Sequence, residues 1–265
     1  MKALLRTRAT AVAALLGAAL ALGCDDNGGD VAGPGSGAIL QKITRTSGDL
    51  VIGAPAFAAA IGAVDNAGAP GQHDATGRRR INWDGVPAQF TNVDNFPATF
   101  FNLTATRGLE YLTAAGTGLR VSDNGFADIN PTYATELIPF TSPKLFAPIG
   151  TNRAEFQFRI PGSNTAAVVQ SFGAVVVDVD RPNTTRLEAF DKEGQRIANV
   201  VVPTHRAPDA SSLVGVQFDR PVIARVVITL GDAPLAAGTN DVSRGGRQDI
   251  VALDDFFYSE PQPVQ

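Results

Sequence analysis

Residues 172–190 read F-G-A-V-V-V-D-V-D-R-P-N-T-T-R-L-E-A-F. The run 172–177 is short, uncharged and rich in valine, as a strand buried on both faces requires. D-R-P-N then supplies a tight polar turn, and R-L-E-A-F restores an apolar/polar alternation. The stretch therefore predicts a fully buried strand, a turn and a second strand. Asp178 and Asp180 stand where the apolar run ends.

The same grammar extends outward. In 155–160, Phe156, Phe158 and Ile160 share one face, with Glu155, Gln157 and Arg159 on the other. That is a half-buried antiparallel strand. In 222–230, Val222, Ala224, Val226, Ile228 and Leu230 line one face, and Arg225 and Thr229 the other. Residues 186–191 and 195–202 flank D-K-E-G, with glycine where a left-handed residue is wanted, and predict a hairpin. Further strand candidates are 38–44, 118–122, 213–219 and 250–258, while the alanine-rich segment 54–64 predicts a short helix or a buried loop. About ten or more short strands, separated by Gly/Pro/Asn/Asp turns, make an all-β fold, an antiparallel β-sandwich, with jelly roll as the expected variant.

The N-terminus carries an export signature. Lys2, Arg6 and Arg8 precede the uncharged Ala/Leu-rich run 9–22, which is short for a membrane span and reads as a secretory signal. It ends in L-A-L-G-C at 20–24. This resembles a bacterial lipobox, with Ala21 where leucine is usual, and the resemblance implies cleavage before Cys24 and lipidation of its sulfur. Cys24 is the only cysteine, so no internal disulfide is expected. The expected organisation is a signal peptide at 1–23, a Gly-rich tether at 24–37, one β-sandwich domain at 38–261 and a short tail at 262–265. The expected location is the bacterial cell envelope, with the membrane as a partner through the lipid anchor. The net charge of −4 argues against a nucleic-acid partner.

G-R-R-R-I-N-W-D-G-V-P (77–87), F-G-A-V-V-V-D-V-D (172–180) and V-A-L-D-D-F-F-Y (251–258) together resemble an uncharacterised family of secreted bacterial proteins, some carrying a C-terminal PEP-CTERM sorting signal. The closing D-D-aromatic strand is also similar to the last strand of jelly-roll modules of the galactose-binding-like and MAM type. That similarity implies a structural calcium held by acidic residues near the strand.

Three groups of residues are candidates for a site. Asp178 and Asp180, two apart on a strand, share a face. With one of Asp254 and Asp255, which as neighbours face opposite ways, they could supply calcium with carboxylate oxygens if their strands adjoin. The competing reading makes Asp180 the cap of its turn and pairs Asp255 with Arg220 or Arg225. Asn82, Trp83 and Asp84 could stack on and hydrogen-bond a sugar; the alternative places Trp83 in the core. His73 and His205 lie in polar, loop-like stretches, and no G-x-S-x-G, H-E-x-x-H, C-x-x-C or phosphate-binding loop is present. The leading expectation is a lipid-anchored binding or cell-surface interaction module whose ligand is a glycan or a surface protein. The alternatives are a surface glycan-processing enzyme using loop carboxylates and a purely structural envelope protein.

Overall fold

The computed structural model describes residues 37–66, 73–207 and 211–264; Cys24, the signal and nearly all of the tether lie outside them. The described residues form fourteen strands: β1 (Leu40–Ser47), β2 (Arg78–Ile81), β3 (Leu109–Tyr111), β4 (Gly118–Ser122), β5 (Leu145–Ile149), β6 (Arg153–Arg159), β7 (Ala166–Val168), β8 (Ser171–Val177), β9 (Arg186–Phe190), β10 (Arg196–Val201), β11 (Ser211–Phe218), β12 (Arg225–Thr229), β13 (Ala252–Ser259) and β14 (Gln262–Pro263). One α-helix, α1 (Gly53–Ile61), accounts for the alanine-rich segment. Residues Phe100–Thr104 make a single wide helical turn.

Two antiparallel sheets pack face to face as a β-sandwich. One runs β1-β11-β8-β13-β5-β4, with β2 added to β13; the other runs β10-β9-β12-β6-β7-β14, with β3 added to β6. From β8 onward the chain passes from sheet to sheet at nearly every connection. Only the β9–β10 hairpin stays within one sheet, closed by Asp191, whose Oδ1 accepts from Glu193 N and Gln195 N, and by Gly194 at φ 80°. The sandwich also continues past Pro261, because β14 pairs with β7.

The two strands of 172–190 do not pair with each other. β8 lies between β11 and β13 in one sheet, and β9 lies between β10 and β12 in the other. What reads as a tight turn is thus a crossing from one sheet to the other, over residues 178–185.

β8 is apolar from Phe172 onward because both of its faces are covered. Phe172, Ala174 and Val176 enter the core between the sheets. Val175 lies under α1 with Leu50, Phe57 and Ile61, and Val177 packs with Phe126, Tyr133 and Leu145. Gly173 pairs directly with Gly215 of β11, and the ring of Phe57 rests on both. A Cβ at Gly173 would stand 2.4 Å from that ring, and one at Gly215 2.6 Å, so only glycine admits the helix this close. β6 keeps the expected alternation, with Phe156 and Phe158 in the core and Glu155, Gln157 and Arg159 partly exposed.

Candidate metal centre

The crossing after β8 is built from polar parts that meet loops from elsewhere in the chain. Asp178 adopts φ 66°, a left-handed backbone that costs a residue with a Cβ about 1–2 kcal/mol and so must be held in place by its surroundings. The crossing is capped by Asp249, not by Asp180. Asp249 Oδ1 accepts from Asp180 N at 2.9 Å, and its Oδ2 accepts from Arg181 N at 3.4 Å and from the Thr184 hydroxyl. Asp241 caps the next loop, accepting from Ser243 N at 2.6 Å and from Ile250 N at 2.7 Å. Glu136 follows the helical turn Tyr133–Thr135, which the Tyr133 hydroxyl ties to this loop by donating to Thr239 O at 2.7 Å.

Five carboxylates converge there in two groups that share Asp241. Ligand oxygens of Glu136, Asp178 and Asp241 all lie within 4.8 Å of one another, and so do those of Asp180, Asp241 and Asp249. All five residues are buried; Asp178 and Glu136 are each only 4 % exposed. Among the described residues, Asp178 Oδ2 and Glu136 Oε2 have no hydrogen-bond partner, and the one guanidinium paired with a carboxylate of the group is that of Arg244, 2.8 Å from Glu136 Oε1. Burial, reinforced by the charges of Asp241, Asp180, Glu136 and Asp249, pushes the Asp178 carboxyl up to about 9. Burial likewise raises Asp180, Asp249 and Glu136 above the usual carboxylate range, with Asp241 adding to each.

Asp178 and Asp180 stand beyond the end of β8 rather than on one strand face, and they fall in separate groups that share Asp241; Asp254 and Asp255 join neither group. The register of β13 against β8 shifts between Leu253 and Phe256. This bulge breaks the alternation and brings both carboxylates to one hydroxyl, that of Thr141, at 3.1 Å from Asp254 and 2.9 Å from Asp255. Arg80, rather than Arg220 or Arg225, pairs with Asp255, at 2.5 Å. Arg220 and Arg225 pair with Asp219 and Glu155 instead. Burial first, and then the charge of Asp255, raises Asp254 well above the carboxylate range. This second acidic pair is thus neutralised from within, by a guanidinium and a retained proton. The Asp178 group also holds a guanidinium, on Glu136, and a strongly raised carboxyl, but among the described residues Asp178 Oδ2 and Glu136 Oε2 keep no hydrogen-bond partner.

Trp83 is 1 % exposed and stacks on Phe146 at 4.3 Å, and its Nε1 donates to Asp254 O at 2.7 Å. The sugar-stacking role fails at this residue, because no ring face remains open to a ligand. Asn82 Nδ2 donates to Asp84 Oδ2 at 3.0 Å, and Asp84 also accepts from Lys144 N at 3.3 Å, so both serve the turn after β2.

Sequence reasoning missed Glu136, Asp241 and Asp249. They come from loops more than forty residues from Asp178 in either direction, and only the sheet-to-sheet crossing brings them to it. The one local signal was Asp241 before V-S-R-G-G, a cap followed by a glycine-rich turn.

The donor set is all carboxylate, with no His or Cys among the clustered residues. Hard oxygen donors of this kind suit calcium, magnesium or manganese. The buried, unpartnered oxygens and the all-carboxylate donor set suit calcium, whose coordination is flexible, better than magnesium, which demands near-octahedral geometry. No family model, curated protein or solved structure matches this chain.

Proposed function

We propose that the protein is an exported, lipid-anchored β-sandwich that binds a ligand at the cell envelope, with the loops at the end of β8 braced by calcium on Asp178, Glu136 and Asp241 and supported by Asp180 and Asp249. One observation carries the metal part of this reading: among the described residues, Asp178 Oδ2 is buried, has no hydrogen-bond partner and stands close to other carboxylates. A divalent cation supplies what this group of acids lacks. The ligand is proposed to meet the cavity of about 450 Å³ that Glu136, Asp178 and Asp180 help to line, a size suited to a small ligand or a short stretch of a larger one. The anchor and the location rest on L-A-L-G-C at 20–24, and membership of the secreted family on the three motifs quoted above.

The test is retention of the full-length protein on immobilised polysaccharides, with calcium and with a chelator. Calcium-dependent retention supports the reading; indifference to calcium on every surface counts against it.

A second reading follows from the carboxyls themselves. Burial and mutual repulsion raise Asp180 and Asp249 beside Asp241, the condition for acid–base work by an acidic pair. Release of reducing ends from a polysaccharide, abolished by Asp180→Asn, would favour a glycan-processing enzyme.

A further inference from the structure

The acids form the floor of the cavity, while its rim is basic. Arg181, Arg206 and Arg244 line the same space as Glu136, Asp178 and Asp180, together with Thr135, Val242 and Ser243. Among the described residues, Arg206 gives Nε to Asp180 O at 3.0 Å and Arg181 gives Nη1 to Asp232 at 2.9 Å. Arg244 gives Nε to Glu136 and Nη2 to the Thr135 hydroxyl at 2.6 Å. A guanidinium carries about five N–H donors in a planar fork matched to a carboxylate, so each of the three keeps donors beyond those bonds. Calcium takes about six to eight oxygens, more than Asp178, Glu136 and Asp241 supply with one oxygen each, and its remaining positions fall to whatever enters the cavity.

We infer that the cavity takes a carboxylate-bearing sugar, whose carboxylate meets the bound cation and the arginine rim together while its hydroxyls fill further positions on the ion. The inference rests on the calcium reading above. An anion alone would be repelled by the acidic floor, and the ion converts that floor into an attractive one. The rim then selects charge, so a neutral sugar lacks the contact that discriminates. Among the described residues, the wall offers hydroxyl, guanidinium and small apolar groups, without a large apolar side chain, which suits a pyranose ring better than a bulky apolar side chain.

The experiment is calorimetric titration of the full-length protein, first with calcium, then with digalacturonate or neutral digalactose, in calcium and in chelator. The expected result is binding of digalacturonate in calcium, loss of that binding in chelator, no comparable binding of digalactose, and weakening by about tenfold or more in Arg206→Gln. If calcium binds but digalacturonate does not, or if digalactose binds equally, this inference is overturned and the metal reading stands. If calcium itself does not bind, both fall. Retained calcium affinity in Arg206→Gln separates a role in ligand binding from damage to the metal centre.

Discussion

Glu136 and Asp178 bring carboxylate oxygens to within 4.8 Å of each other, and each keeps one buried oxygen without a partner among the described residues. The two residues follow the helical turn Tyr133–Thr135 and strand β8; Arg244 pairs with Glu136, and burial raises the Asp178 carboxyl. The other buried acidic pair, Asp254 and Asp255, is satisfied by Thr141, Arg80 and a proton. Among the described residues Asp254 and Asp255 leave no buried carboxylate oxygen without a partner, whereas Asp178 and Glu136 leave one each, and that difference is the reason for placing a cation at one pair and not at the other.

The calcium-free protein should lose stability as the pH rises. The Asp178 carboxyl goes from an ordinary 3.8 to about 9 on folding, so its contribution is fully present below about pH 4 and is lost as the pH climbs through about 9. Asp180, Asp249, Glu136 and Asp254 are raised too and act in the same direction. Chelated protein should melt at a lower temperature at pH 8 than at pH 5, and calcium should rescue it at pH 8 far more than at pH 5. A chelated protein that melts higher at pH 8 would contradict the shifts.

Gly173→Ala should destabilise the fold by about 1–3 kcal/mol, the range for overpacking a tight contact. Its new Cβ would stand 2.4 Å from the ring of Phe57. In a Phe57→Ala background, where α1 no longer presses a ring onto β8, the same change should cost much less. Denaturant melts of the four proteins in the cycle measure the coupling; additive losses would mean that Phe57 does not set the glycine requirement.

Arg79→Met should cost about 3–5 kcal/mol, because it strands a buried carboxylate. Arg79 and Glu260 are 0 % and 1 % exposed at their side chains, and two bonds join them, at 2.7 and 2.8 Å. Glu260 also accepts from Asn66 Nδ2 at 3.0 Å, which softens the loss without replacing the charge. The double change Arg79→Met with Glu260→Gln should recover part of the stability in the same denaturant melts. A single mutant as stable as the wild type would show that the pair is dispensable.

Local pattern carried the reading of the fold and stopped at the site. Phe156 and Phe158 alternate with charged neighbours because one face of β6 meets the core, and a period of two is visible in sequence. The apolar run of β8 was equally legible as a buried strand. Its partners were not, since pairing with β11 and β13 rather than β9 is decided by contacts distant in the chain. The bulge at Asp254 and Asp255 leaves no local mark, and strict alternation sends their carboxylates apart when they in fact meet at Thr141. Asp178 and Asp180 drew notice for ending an apolar run. Glu136, Asp241 and Asp249 sit in polar loops where acids are ordinary, and only the crossing makes them neighbours.

The most direct test of the central claim is thermal unfolding at pH 8 of the wild type and of Asp178→Asn, each with a chelator and with excess calcium. At about one hundred times its dissociation constant, calcium should add roughly 2.7 kcal/mol to the wild type, or about 5–10 °C in a domain of this size. Asp178→Asn should melt above the wild type in chelator, because its amide avoids the cost of keeping a carboxyl protonated at pH 8, and should ignore calcium. An unchanged wild-type midpoint, in protein that elemental analysis finds free of metal before calcium is added, would contradict the account.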